Sequence, residues 1–273
     1  MSDKKIGVLG AGNMGSAIIL GALNSGAFNK DEIIAFDRNE AKRRSVAEAT
    51  GIVFTSSLRA LAGCGLILIA VKPKDLKDIL KDLSESISSE TLIVSVAVGV
   101  TTRTLQDYLD GKGHVIRVMP NTPVSISSGV SALCTGIGCT DKDLEKVKEL
   151  FKPLGMTIMI EESMFDAVSA LSGSGPAYFL YIIEAMAAKA VSHGFDEKTA
   201  LNIVMETCNG AVQLLKSTGK SAQELRREVT SPGGSTAEAI KIFEKANVSN
   251  IINDAVDAAI QRSKYMGNHD ATL

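Results

Sequence analysis

Gly10, Gly12 and Gly15 stand in the run Gly10-Ala11-Gly12-Asn13-Met14-Gly15, a spacing that suits a loop wrapped around a pyrophosphate. Gly10 permits a tight turn, Gly12 lets the backbone approach a phosphate, and Gly15 lets a following helix pack closely on the preceding strand. The backbone N–H groups of that helix start, at Asn13, Met14 and Gly15, then face the anion. Asp37 lies 22 positions beyond Gly15, where a carboxylate accepts hydrogen bonds from ribose hydroxyls and favours NAD. Arg38 follows at once, with Lys42, Arg43 and Arg44 close behind, and guanidinium groups suit a 2′-phosphate instead. The residues alone leave both cofactors open.

Four other segments hold groups that could act on a ligand. Ala70-Val71-Lys72-Pro73 follows an apolar run, at the carboxyl edge where open α/β sheets bind ligands. Pro73 fixes a turn there, and Lys72 reads either as a cofactor contact or as an exposed turn lysine. Arg117-Val-Met-Pro120-Asn121-Thr-Pro123 ends another apolar run with two prolines bracketing polar groups. Leu171-Ser-Gly173-Ser-Gly175-Pro176-Ala-Tyr178 leads small residues into a helix, with Pro176 suited to its first turn. Val229-Thr-Ser231-Pro-Gly233-Gly234-Ser235-Thr236 precedes a helical pattern over Ala237–Lys245. Its run of N–H groups, two of them on glycines, would cradle a carboxylate; a serine-capped helix start with a glycine turn explains it equally well.

The elements that must position these groups alternate along the first half. Short apolar runs at Lys5–Leu9, Glu32–Phe36, Ile52–Phe54, Leu66–Val71, Leu92–Val96 and Val115–Val118 predict strands. Amphipathic stretches at Met14–Asn24, Glu40–Ala49, Asp75–Leu83 and Thr102–Leu109 predict helices between them. Near-continuous β-branched runs separated by helices indicate a parallel, doubly wound sheet. Val130–Cys134 and Thr157–Ile160 flank a charged helix at Asp141–Phe151 and are expected to extend that sheet at one edge.

After about Ser163 the strand signal stops and helical spacing takes over, as at Leu201, Val204, Met205, Cys208, Ala211, Val212 and Leu215. Tyr178–Val191 is apolar nearly all round, interrupted only by Glu184 and Lys189, so most of its sides must be covered. A second copy of the chain is a natural cover; a central place within one bundle is the alternative.

The bulk properties exclude several classes. A formal net charge of −2 offers no field for nucleic acid or for an anionic membrane, so neither partner is expected. Cys64, Cys134, Cys139 and Cys208 are scattered without metal-ligand spacing, and are expected to be reduced thiols. His114 at the start of a strand and His193 ahead of Gly194 at a helix end add no metal signal. The start, Met1-Ser-Asp-Lys-Lys, runs straight into an apolar strand, so no leader and a cytoplasmic protein are expected.

Taken together, the Gly10–Gly15, Ala70–Pro73, Arg117–Pro123, Leu171–Tyr178 and Val229–Thr236 segments resemble pyrroline-5-carboxylate reductases, in the family's order and over essentially the whole chain. The resemblance implies an α/β protein: an N-terminal Rossmann-type doubly wound, mostly parallel sheet over 1–162 and a C-terminal all-α substrate-binding and dimerisation domain over 163–273. It implies NAD(P)H-dependent reduction of 1-pyrroline-5-carboxylate to L-proline, usually with NADPH preferred over NADH, and homodimers that often assemble further, commonly into decamers. Carried over, Thr236 is the hydroxyl that bonds the substrate's ring nitrogen, and Ser231, Gly233, Gly234 and Ser235 complete the carboxylate-binding turn. Pro120 and Asn121 lie beside the nicotinamide, with Ala97 in the matching Ser95–Thr101 stretch. Ser235 stands where many members have threonine, and Lys74 where glutamine is common.

Two other classes remain in view. A hydroxyacid dehydrogenase would carry a lysine soon after its interdomain glycines, whereas the first lysine after Gly175 is Lys189. A related imine reductase acting on a different ring, or a dinucleotide-binding module without catalysis, also fits the first half; the module leaves the Ser231–Thr236 turn unexplained.

Overall fold

The computed structural model describes residues 5–269; the start at 1–4, which bears on the expected lack of a leader, lies outside them. The described residues up to Ser174, together with those from Ala259 onward, form one compact unit, and Gly175–Ala258 forms a second.

In the first unit, β1 (Ile6–Leu9), α1 (Asn13–Asn24), β2 (Ile33–Phe36), α2 (Glu40–Thr50), β3 (Val53–Phe54), β4 (Leu66–Ile69), α3 (Leu76–Ser84), β5 (Leu92–Ser95), α4 (Thr102–Tyr108) and β6 (His114–Pro120) follow in turn. Then come β7 (Gly129–Thr135), α5 (Asp141–Phe151), β8 (Gly155–Met159) and α6 (Phe165–Val168), which runs into a π-helical turn at Ser169–Gly173. The eight strands form one sheet in the order β3-β2-β1-β4-β5-β6-β7-β8. β1 to β6 are parallel, β7 is antiparallel to β6, and β8 runs parallel to β7. The sheet is therefore doubly wound and mostly parallel, as the sequence predicts. The eight residues 121–128 between β6 and β7 are too few for a parallel crossover, which needs about a dozen or more, so the chain must reverse.

Every residue of β1, β4 and β5 is buried, the pattern of strands covered on both faces. Alternation divides them between two cores. Val8, Leu68, Val94 and Ile116 pack with Ile18, Ile19 and Phe151 on one face, and Leu9, Ile67, Ile69 and Ile93 pack with Leu76, Leu80 and Leu83 on the other. β4 ends at Ile69, two residues short of the predicted strand, because Ala70–Lys72 turn toward Pro73, which opens a short 3₁₀ turn. Cys64 and Cys134 are buried and Cys139 and Cys208 half-buried, with no disulfide among them.

Helix α5 starts with a capping box in which Thr140 and Asp143 bond each other's backbone N–H. Asp143 Oδ2 also lies 2.8 Å from His114 Nδ1 at the start of β6. Burial pushes the Asp143 carboxyl up, but the bonds from Thr140 and His114 outweigh it and hold the group below its ordinary value of 3.8. A carboxylate lowered on folding contributes stability above that value and loses it as the pH falls through the folded one. Asp143→Asn is thus expected to remove about 1 kcal/mol at neutral pH. Its melting-temperature deficit should shrink as the pH is taken below 3.8, and a deficit constant over that range refutes the assignment.

The second unit holds α7 (Gly175–Val191), α8 (Glu197–Thr218), α9 (Ala222–Glu228), α10 (Ser235–Lys245) and the first part of α11 (Val248–His269). The short α9 is an element the apolar periodicity does not reveal; its signal is the Ser221…Glu224 capping box. Within the single chain α7 leaves large apolar side chains open, with Phe179 at 63% and Tyr181 at 75% exposure. Among the described residues no helix is long and apolar enough to cross a membrane.

Candidate functional site

The strand order places the turn after β1 beside the turn after β4, where helices pass to opposite faces of the sheet and a crevice opens at the carboxyl edge. Gly10 has φ +101°, and a Cβ there would lie 2.8 Å from the backbone of Ala70, so this position admits only glycine. A Cβ on Gly15 would lie 2.1 Å from the Gly10 carbonyl oxygen. Gly12 differs: a Cβ would meet nothing within 4 Å. Its bareness serves no contact within the protein and leaves room just ahead of α1. Gly12 is also the N-cap of α1 and supplies no side-chain cap, so the amides of Asn13, Met14 and Gly15 open the helix without one. This open, uncapped start fits the pyrophosphate of a dinucleotide.

Asp37 holds that loop from the next strand. Its Oδ2 accepts the Ala11 N–H at 2.8 Å and its Oδ1 accepts the Asn39 N–H at 2.8 Å. The carboxylate expected to meet the ribose is thus already a brace between the glycine loop and the start of α2. Among the four cations that follow, Arg44 pairs with Glu40 and Arg43 Nη1 reaches the Asp37 carbonyl at 3.4 Å. Arg38 and Lys42 are exposed and have no side-chain partner among the described residues.

The rest of the carboxyl edge comes from β4, β5 and β6. Ala70 and Val71 adjoin Gly10, Lys72 is exposed, and Pro73 is half-buried. Ala97 is buried just past β5, its N–H donating to Ser95 Oγ at 3.3 Å. Pro120 ends β6. Asn121 is 7% exposed, with both ends of its amide engaged: Oδ1 accepts the Val130 N–H at 2.8 Å and Nδ2 donates to the Ser172 carbonyl at 3.2 Å. It fastens the π-helical turn at the end of β6.

Ser231, Gly233, Gly234, Ser235 and Thr236 lie in the other unit, together at the start of α10. Gly233 has φ +73°, and the Gly234 N–H closes the turn onto the Ser231 carbonyl at 3.0 Å. The N-cap is Gly234, and no side chain caps the helix, which decides against the serine-capped alternative. Ser235 and Thr236 are exposed in the first turn, so uncapped N–H groups and two hydroxyls face outward together. Such a start can receive a carboxylate.

A second cluster was not anticipated from sequence. Arg117, 6% exposed in β6, stacks its guanidinium 4.1 Å from the Phe165 ring centroid and donates from Nη1 to Glu162 Oε1 at 3.2 Å. Burial pushes the guanidinium pKa down, and the bond and charge of Glu162 oppose the shift. The available signal was a lone arginine inside the apolar strand His114–Pro120, since a buried charge requires a partner. Asp166, also near Arg117, accepts the Ser263 hydroxyl at 2.7 Å.

Comparison with known proteins bears on both groups of residues. A family model described as pyrroline-5-carboxylate reductase dimerisation matches residues 162–266, and one described as NADP oxidoreductase, coenzyme F420-dependent, matches residues 5–99. The pyrroline-5-carboxylate reductase of Methanosarcina acetivorans is 38% identical over 268 residues, covering 98% of this chain and 99% of that protein. The chain belongs to the pyrroline-5-carboxylate reductase family. The Arabidopsis thaliana member is 36% identical, with 96% of this chain and 95% of that protein covered. Among solved structures, the Plasmodium falciparum pyrroline carboxylate reductase with NADP bound superposes with a TM-score of 0.89 at 29% identity, over 98% of this chain and 99% of that one. The Coxiella burnetii pyrroline-5-carboxylate reductase gives 0.87 at 31%, over 97% and 98%. The family match thus spans the glycine loop and the α10 start alike.

Proposed function

We propose that this chain catalyses the NAD(P)H-dependent reduction of 1-pyrroline-5-carboxylate to L-proline, the final step of proline biosynthesis. The observation that carries the reading is membership of the reductase family over nearly the full length of the chain, in a molecule with two uncapped helix starts for two anions. A bound reduced nicotinamide supplies the hydride that the imine carbon accepts. The amides of the Gly10–Gly15 loop hold the pyrophosphate, and Ala70, Val71, Lys72, Pro73, Ala97, Pro120 and Asn121 border the rest of the cofactor. Ser231, Gly233, Gly234 and Ser235 hold the substrate carboxylate. Thr236 bonds the ring nitrogen and so orients the imine carbon. A hydroxyl is a weak acid, so the nitrogen's proton arrives with the substrate as its iminium form or from water.

Arg38 and Lys42 favour NADPH, because they are the cations left free beside the brace formed by Asp37. Replacing both by alanine is expected to lower kcat/KM for NADPH about tenfold relative to NADH, the scale of one charged hydrogen bond. An unchanged ratio of the two cofactors places the discrimination elsewhere.

In this reading the sheet unit, up to Ser174, serves the cofactor, and Gly175–Ala258 serve the substrate and the dimer. The open apolar side chains of α7 (Phe179, Leu180, Tyr181, Ile182 and Met186) are covered by a second copy, and dimers assemble into a larger cytoplasmic oligomer such as a decamer. The deciding experiment is steady-state kinetics with NADPH and NADH on pyrroline-5-carboxylate and on its six-membered homologue. Equal rates on the two rings overturn the substrate assignment, and a monomer in sedimentation overturns the assembly.

A further inference from the structure

The loop between β5 and α4, residues 96–101, is seated at its apolar residues Val96, Ala97 and Val100, which are buried in the cores beneath it. The Val96 N–H bonds the Ile69 carbonyl at 3.0 Å, Gly99 takes φ +78°, and Val98 and Gly99 are half-exposed. Its far end is held from a distance of 60 residues. Glu162 Oε1 accepts the Thr102 N–H at 2.8 Å, and Oε2 accepts the Thr102 hydroxyl at 3.0 Å. Glu162 is itself tied to Arg117, whose guanidinium is fixed in β6 and stacked on Phe165. Val98 packs against the small core that contains Phe165 and Met119. One short segment, 162–165, therefore grips the loop at its end and along its side, and the buried arginine is the post to which that segment is fastened.

We infer that Thr102, Glu162 and Arg117 form a clasp that positions the 96–101 loop against the nicotinamide end of the cofactor. The inference rests on the reductase reading, which places Ala97 on that side. None of the three touches the reacting atoms; they are positioning residues. The pyrophosphate and adenosine ends are held by other elements, β1, α1 and β2. Loosening the clasp should therefore disturb the alignment of the ring and leave cofactor affinity nearly intact. Misplacement of a reacting group by about 1 Å can lower a rate a hundredfold, so a partial release is expected to lower it by about tenfold.

Thr102→Val is the cleaner variant, because it removes one bond to Glu162 and leaves the Arg117–Glu162 pair whole; Glu162→Gln loosens both. For Thr102→Val we expect kcat to fall about tenfold and the NADPH dissociation constant to stay within about twofold. The emission of bound NADPH, measured without substrate, should shift as the nicotinamide's surroundings change, and Thr102→Ser should restore both rate and emission. If Thr102→Val and Glu162→Gln lower the melting temperature but leave kcat and emission at wild-type values, the cluster is merely structural and the inference falls. If the wild type binds NADPH without reducing pyrroline-5-carboxylate, the substrate reading fails on its own, and the emission comparison still decides the clasp.

Discussion

A Gly12→Val variant is expected to melt within a few degrees of the wild type yet bind NADPH at least about a hundredfold more weakly, a loss of ~2.7 kcal/mol. The reasoning separates the three glycines of one motif. A Cβ at Gly15 would drive into the Gly10 carbonyl, and one at Gly10 into the Ala70 backbone in a conformation that side chains resist. Those two substitutions should damage the sheet unit itself. At Gly12 an added Cβ meets nothing within 4 Å, and the φ of −74° is one that any residue adopts, so folding loses little. What they fill is the approach to the amides of Asn13, Met14 and Gly15. Thermal melting and fluorescence titration of the same sample check both halves of the claim. A melting temperature lowered by ten degrees or more, roughly beyond what a poor N-cap costs, would mean that Gly12 is structural after all, and tight binding that the phosphates lie elsewhere.

Thr236→Ala is expected to lower kcat on pyrroline-5-carboxylate about a hundredfold at saturating NADPH, the usual scale for a hydrogen bond aimed at a reacting group. KM should move much less, because in the proposed function the carboxylate is held by backbone amides around Gly234 that the substitution leaves in place. Thr236 is exposed in the first turn of α10, so the fold has little to lose. Steady-state rates in the purified variant test the assignment, and wild-type turnover would remove Thr236 from the mechanism.

Much of this was legible in the sequence, for physical reasons that can be named. The buried strands β1, β4 and β5 carry uninterrupted apolar runs, and α1 begins at the last glycines of a motif whose spacing few other structures require. The start of α10 was legible only as a pair of alternatives. Whether a serine caps the helix depends on the conformation at Gly233 and Gly234, which residue types do not specify. The role of Asp37 was read for its charge, but both oxygens answer to backbone amides of the loop and the next helix, partners that carry no sequence signature. Asn121 is similar: its position at the end of β6 was evident, while its engagement with Val130 and Ser172 comes from tertiary approach. The Arg117–Glu162–Thr102 cluster joins residues 45 and 60 apart, and only the lone arginine in an apolar strand hinted at it.

The reversal at β7 has a consequence for how such chains can be recombined. Because β7 and β8 run against the first six strands, the chain leaves the sheet at the edge opposite the glycine loop. It regains the other edge through residues 162–173, fastened at Glu162 and Phe165 and again where Asn121 meets Ser172. That stretch belongs to the sheet, although it already looks helical in sequence. Chimeras that exchange helical halves between relatives should be cut after Ser174, leaving this return path with the sheet it was selected to fit.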